Sequence, residues 1–348
     1  MALPLKTREI HSHHFDSTKW NGFCFRHDDI VVASGLKSGT VWTEYIIYRL
    51  LYQKNDEIPL DWMAEVIWVD CRMPPIRVDG PILESISNRR SLLTHLPLDA
   101  LVFSPMIKYI YIARDGRDVC FSLFNHYNNL SEKFYVMINE PEGTLLLASV
   151  MSNSCLTNVS SVLLVHTSRR IFAGLVGEPL PQCEYADESS FFDDWISKGW
   201  PSLEGETDGY PFGSFFDRLR TWWEYRHLPN IFFIHHNDLL KDLAGNVRKL
   251  ADYLGIPIFE ETFQDLLESL TFASMKQNAT TVISPCVSAG FKCGGHSFIN
   301  KGTNGRWRGV LSEEQLAKYD AKVKEKLSPE CAAWLETGLA SGIDPNAC

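Results

Sequence analysis

No stretch of this sequence reaches the 18 or more consecutive apolar residues that a membrane-spanning helix requires. Met1 to Phe15 is polar and basic and lacks the apolar h-region of a secretory signal. Positive charge is not in excess: 33 Lys and Arg against 43 Asp and Glu leave −10, which argues against nucleic acid as a partner and weakens the case for polyanionic glycans. The nine cysteines are odd in number and include no Cys-x-x-Cys pair, so reduced thiols in a reducing compartment are expected rather than a disulfide framework. Histidines cluster at His11-Ser12-His13-His14 and His235-His236, but not at the spacing of a standard zinc motif, and no metal is expected. Internal repeats are missing too. These absences leave an ordinary globular chain, 45% apolar and 22% charged, expected to be cytoplasmic and to have no membrane partner.

What is present begins with Lys37-Ser38-Gly39-Thr40. The run Ile30-Val31-Val32-Ala33-Ser34 before it is short, apolar and β-branched, as in a buried strand. After Gly35 the chain turns, and Val41, Tyr45, Ile46, Tyr48 and Leu50-Leu51 recur near helical spacing. A strand, a small-residue loop and a helix N-terminus form an anion site, because unpaired N–H groups and the helix dipole both face the loop. Lys37 adds a cation, so a phosphate or sulfate is expected there. The loop is not a Walker A motif, since the lysine precedes the serine and glycine.

Three further blocks share that character. Ser91-Leu92-Leu93-Thr94-His95-Leu96-Pro97 ends an apolar run on a Thr-His pair. Met106 to Ala113 reads as a second strand, leading into Arg114-Asp115-Gly116-Arg117-Asp118 and a helix from Val119 to His126. Phe298 to Arg308 is a Gly-punctuated basic loop. In this order the four blocks resemble the cytosolic-type sulfotransferases that use 3′-phosphoadenosine-5′-phosphosulfate (PAPS) and release PAP, from about Asp28 to about Leu327.

The resemblance implies roles by position. Lys37, Ser38, Gly39, Thr40, Val41 and Trp42 match the loop around the 5′-phosphosulfate, with Trp42 stacking on the adenine. Arg114 and Ser122 match the pair that holds the 3′-phosphate, and Asn300-Lys301-Gly302 the loop that closes over it. Phe272 matches the second face of the adenine slot, His236 the family's nearby tyrosine, and His95 the catalytic base. Sulfuryl transfer to a hydroxyl or amine of a small molecule would then proceed by in-line displacement. His95 would take the proton at its usual near-neutral pKa and Lys37 would stabilise the leaving phosphate oxygen, without a metal. Four positions depart from the pattern: Val41 for a threonine, Leu93 for a lysine, His236 for a tyrosine and Asn300 for an arginine. Each removes a donor or a charge worth about 1.5–3 kcal/mol in a charged hydrogen bond, so weaker cofactor binding is expected. Two rival functions stay open: an ATP-dependent P-loop-like kinase, and a catalytically silent binder of PAP or PAPS.

Further helical patterns run from Phe215 to Arg226, Gly245 to Leu254, Thr262 to Leu270 and Ser312 to Lys326, the last opened by a Ser312/Gln315 capping box. Ile231 to Ile234 reads as a third buried strand. Strands separated by helices predict an α/β single domain over 1–348, with a central, mostly parallel sheet, helices on both faces, and a P-loop-like phosphosulfate-binding loop at the carboxyl ends of the strands. Residues 131–190 interrupt the resemblance as a long insertion. Within them Thr144 to Gly177 has no Asp or Glu, and reads as a lid over the acceptor pocket or a disordered insertion. The segment between Trp62 and Ile86 carries little pattern. The family's dimer-forming segment is not recognisable in Gly309 to Glu314, which leaves a homodimer open.

Overall fold

Every residue of Ile30–Ser34 is buried, the signature of a strand covered on both faces. The computed structural model describes residues 2–53, 62–72, 83, 86, 88–139, 178–201 and 203–347. Among these, five strands form one sheet: β1 (Ile30–Ser34), β2 (Val66–Trp68), β3 (Ser91–Thr94), β4 (Lys108–Ala113) and β5 (Ile231–His235), in the order β2-β3-β1-β4-β5. All four pairings are parallel, with Ile30 opposite Ser91 on one side and Lys108 on the other.

Alternation along the strands feeds two cores. Val31, Ala33, Leu92, Tyr109, Tyr111 and Phe233 join one layer. It includes α2 (Gly116–Asn128), α4 (Glu188–Ser197), α5 (Phe215–Trp223), α10 (Glu313–Lys326) and α11 (Pro329–Thr337). Ile30, Val32, Ile110, Ile112 and Ile234 join the other, with α1 (Thr40–Leu51), α7 (Leu243–Leu254), α8 (Glu260–Leu270) and Met275 of α9 (Phe272–Gln277). Each fully buried large side chain, such as Phe121 or Ile46, contributes about 1.5–3 kcal/mol relative to exposure. The helices α3 (Glu132–Asn139) and α6 (His236–Lys241) complete the longer elements.

Several boundaries differ from the sequence expectation for local reasons. Helix α2 starts at Gly116 rather than Val119 because the Asp115 side chain caps it, accepting from the Arg117 N–H at 2.8 Å. Helix α5 stops at Trp223: Tyr225 and Arg226 donate three residues back instead of four, tightening the chain into a turn before Pro229. The Ser312/Gln315 capping box is present as expected. Strand β2, three residues in the unpatterned Trp62–Ile86 segment, was not expected; it rests on pairing with β3 rather than on its own periodicity. Of the 131–190 insertion, α3 and the start of α4 are described; the expected lid at 144–177 lies outside the described residues.

Strand β1 lies between β3 and β4, so the chain crosses to opposite sides of it. This is the switch point at which the carboxyl ends of parallel strands open a crevice. Gly35, His95, Arg114 and His236 follow β1, β3, β4 and β5 at that edge.

Candidate nucleotide and acceptor site

The loop after β1 is built for an anion. Lys37 sits at φ 65 and Gly39 at φ 122, a sharp turn that aims the start of α1 outward. A Cβ on Gly39 would fall 3.0 Å from Ile112 Cδ1 and 3.2 Å from His236 Cδ2, so only glycine fits. No side chain caps α1, and the N–H groups of Thr40, Val41 and Trp42 have no intrahelical acceptor. Ser38 Oγ is buried and, among the described residues, has no hydrogen-bond partner. A buried orphan hydroxyl costs about 1–3 kcal/mol, and an anion in the loop would satisfy it.

Two cations, half-buried Lys37 and buried Arg114, face the same crevice without an ion pair among the described residues. Lys37 Nζ lies 4.2 Å from the centre of the Phe298 ring and 3.5 Å from His126 Nδ1. Burial, and secondarily the charge of Arg114, push its pKa down to about 8. Arg114 bonds only neutral oxygens, Asn304 Oδ1 at 2.8 Å and the Thr303 carbonyl at 3.2 Å. Burial lowers its pKa to about 10, with Asp118 opposing and Arg306 adding to the fall. The neighbouring acids are engaged elsewhere: Asp115 holds Arg117 at 2.6 Å, and Asp118 accepts from the Gly305 N–H at 2.8 and 3.0 Å. Elsewhere a buried arginine is matched, as Arg90 is by Asp29 at 2.7 Å. Among the described residues neither Lys37 nor Arg114 has such an ion pair, and Arg114 feels Asp118 and Asp115 only through longer-range attraction.

One side of the crevice is aromatic. Trp42 Nε1 donates to the Leu270 carbonyl at 2.9 Å, tying its ring to the turn that starts α9 at Phe272. His236 meets Trp42 edge-on at 5.4 Å. Gly302 lies flat on Phe272: a Cβ there would be 2.2 Å from Phe272 Cδ2. Ser122 is one turn from both Asp118 and His126, on the face of α2 that meets Phe298 and Gly305. Lys301 is exposed and Asn300 half-buried in the same loop. Arg308 instead stacks on Trp307 at 4.4 Å, beside a cavity of about 220 Å³ that Asp115, Asp118 and Glu336 also line.

His95 closes the opposite side. Its Nδ1 is 3.0 Å from the Ser34 carbonyl, which can only accept, so Nδ1 carries the proton and Nε2 presents a lone pair. Nε2 has no partner among the described residues. Trp68 contacts the ring edge-on at 5.1 Å, and Asp70 fixes Trp68 and Thr94 around it. The near-neutral pKa expected for His95 is corrected: burial pushes it down to about 3, with Arg218 and Lys37 adding to the fall, so the ring is neutral near pH 7.

The crevice therefore gathers Lys37, Ser38, Gly39, Trp42, Arg114, His236 and His95. Sequence reasoning missed Asn304, which bonds Arg114, His236 and Asn237 at once, and His126, the neighbour of Lys37. Nothing local marks either one. Among the described residues no group of three metal-ligating side chains is present, and no helix is long and apolar enough to cross a membrane.

Comparison with known proteins agrees with this geometry. A glycolipid sulfotransferase of Mycobacterium bovis is 26% identical over 95% of this chain and 94% of its own length. Sulfotransferase 1A1 of Rattus norvegicus is 24% identical over 84% and 82%. A crystal structure of a mouse sulfotransferase complexed with PAP superposes with a TM-score of 0.59 at 22% identity, covering 92% of this chain and 93% of that one. Residues 27–329 match the sulfotransferase domain, so the chain belongs to the sulfotransferase family and is a PAPS-dependent sulfotransferase.

Proposed function

We propose that this crevice binds PAPS with its 5′ end in the Lys37–Trp42 loop, its 3′-phosphate between Arg114, Ser122 and the Asn300–Gly302 segment, and its adenine between Trp42 and Phe272 with His236 at the edge. PAPS supplies a sulfuryl group already activated by its bond to phosphate. His95 Nε2 accepts the proton of the attacking hydroxyl or amine of a small-molecule acceptor, and Ser34 holds the ring in that tautomer. Lys37 and the open N–H groups of α1 neutralise charge growing on the phosphate oxygen. The observation that carries the reading is the pairing of a buried hydroxyl without a partner among the described residues, Ser38, with half-buried Lys37 and buried Arg114, neither of which has an ion pair among them. Because the reading needs no metal, transfer of labelled sulfur from PAPS should persist in EDTA.

The test is a comparison of wild-type and His95→Ala protein across hydroxyl and amine acceptors, beside PAP binding. Retained PAP affinity with turnover reduced by about 100-fold or more supports the base assignment. Turnover unaffected by the substitution removes it. Tight PAP binding with no turnover on any acceptor, even by wild-type protein, favours the silent-binder reading that Val41 and Leu93 suggest. The cysteine usage supports a cytoplasmic location, which cell fractionation checks; the oligomeric state is open to sedimentation.

A further inference from the structure

Beside His95 lies a wall of rings that the nucleotide does not use. Phe15 packs against both His14 and His95, with centroids 6.0 and 6.3 Å away, and Phe212 against both His14 and His126, at 5.2 and 6.4 Å. Phe134 approaches His14 to 5.7 Å and Phe291 approaches His126 to 4.9 Å.

The partners of these imidazoles fix their tautomers. His13 Nε2 is 2.9 Å from the Pro211 carbonyl and must donate to it, leaving His13 Nδ1 as a lone pair. His14 Nδ1 contacts that lone pair and so carries the proton, which makes His14 Nε2 an acceptor. His126 Nδ1 faces the Lys37 ammonium at 3.5 Å and presents its lone pair, which makes Nε2 an N–H donor. Neither His14 Nε2 nor His126 Nε2 has a hydrogen-bond partner among the described residues. The wall thus offers one free acceptor and one free donor, next to the proton-accepting His95.

One neutral group satisfies both: a hydroxyl, which donates and accepts. An ammonium cannot accept from His126 and would meet the positive charges of Lys37 and Arg72, whereas an ether or ketone cannot donate to His14. We propose that His14 and His126 are specificity-determining residues that bind a second hydroxyl of an uncharged, ring-containing acceptor, the first hydroxyl being the one presented to His95. This rests on the nucleotide reading above.

The experiment measures binding to PAP-saturated protein by calorimetry, which needs no turnover. The probes are 4-ethylphenol, 4-(2-hydroxyethyl)phenol and tyramine, with 2-naphthol and its dihydroxy analogues as a second scaffold. The diol should bind about tenfold tighter than the matched mono-ol on at least one scaffold, and tyramine more weakly than either phenol. His14→Phe and His126→Phe should each bring the diol to mono-ol ratio down to about two, and His126→Gln, which keeps an N–H donor, should restore much of it. The ratio guards against a general loss of folding. Equal binding of diol and mono-ol on both scaffolds, a ratio that survives both phenylalanine variants, or tyramine matching the diol overturns the proposal. Wild-type protein that fails to bind PAP removes the nucleotide reading and this one together; PAP bound without diol preference removes this one alone.

Discussion

The Arg218 guanidinium donates to the main-chain carbonyl of His95 at 2.6 Å, while its other N–H groups bind the carbonyls of Phe212, Gly213 and Ser214 at 2.7, 2.5 and 2.9 Å. One buried side chain on α5 thus joins His95 to the turn that carries Phe212. Lysine cannot reproduce that planar fork. Arg218→Lys should lower kcat by about tenfold or more with a smaller change in PAP affinity. Added to His95→Ala it should change kcat little, because the group it positions is already gone. Steady-state kinetics of the two single variants and the double variant check this; equal effects in both backgrounds would mean a purely structural role.

Lys37 gives nucleotide binding a pH limit. Burial lowers its pKa to about 8, so the ammonium that attracts anions is lost as pH rises through that value. Binding of PAP takes up a proton, and its affinity should weaken between pH 8 and 10. Lys37→Gln should bind more weakly and show a flatter profile over the same range. Calorimetric titrations in buffers of different ionisation enthalpy read both the affinity and the proton.

Buried histidines set the acid side of stability. His13, His14, His95, His126, His235 and His236 are all lowered, mainly by burial, and His13 and His95 fall to about 3. Below the unfolded value near 6.5 the unfolded chain takes protons that the folded chain refuses, so stability falls with pH from about 6.5 toward 3. Each such group contributes up to about 1.4 kcal/mol per pH unit. Glu44, pushed up to about 8 by burial, works the other way as pH falls below that value, and Asp70, Asp118, Glu206 and Asp208, all raised by burial, oppose the histidines too, but the six histidines outnumber these five acids. The Tm should therefore drop between pH 7 and 5. Scanning fluorimetry showing a flat or rising Tm would contradict this.

Gly302 has no room for a side chain. At φ 66, with a Cβ position 2.2 Å from Phe272 Cδ2, Gly302→Ala must displace either the loop or the ring. Loss of one stacking face costs about 1–3 kcal/mol of nucleotide binding. The same substitution in a Phe272→Ala background should cost much less, since the steric conflict is gone. Kd values for PAP across the four proteins close the cycle.

Residues whose role depends on their own neighbours in sequence were legible. Lys37 and Gly39 announce a turn between strand and helix, and Arg114 follows an apolar run that can only be a strand. The alternation of strands and helices gave the parallel sheet and its two layers. Strand β2 was hidden because three residues carry no period of their own. Asn304 was hidden because its partners lie 190, 68 and 67 positions away in sequence. The lowered pKa of His95 was not legible, because burial by Phe15 and Trp68 is a property of the fold and not of the Thr-His pair.

Asn304 has a consequence of its own. Its carbonyl oxygen holds Arg114, and its amide reaches His236 and Asn237 beside Trp42. A phosphate that captures Arg114 displaces that oxygen and, through the same rigid amide plane, disturbs the contacts at the far end. If the nucleotide binds as proposed, with its 3′-phosphate on Arg114 and its adenine beside Trp42, its two ends are sensed jointly, and trimming either one forfeits more than its own contacts.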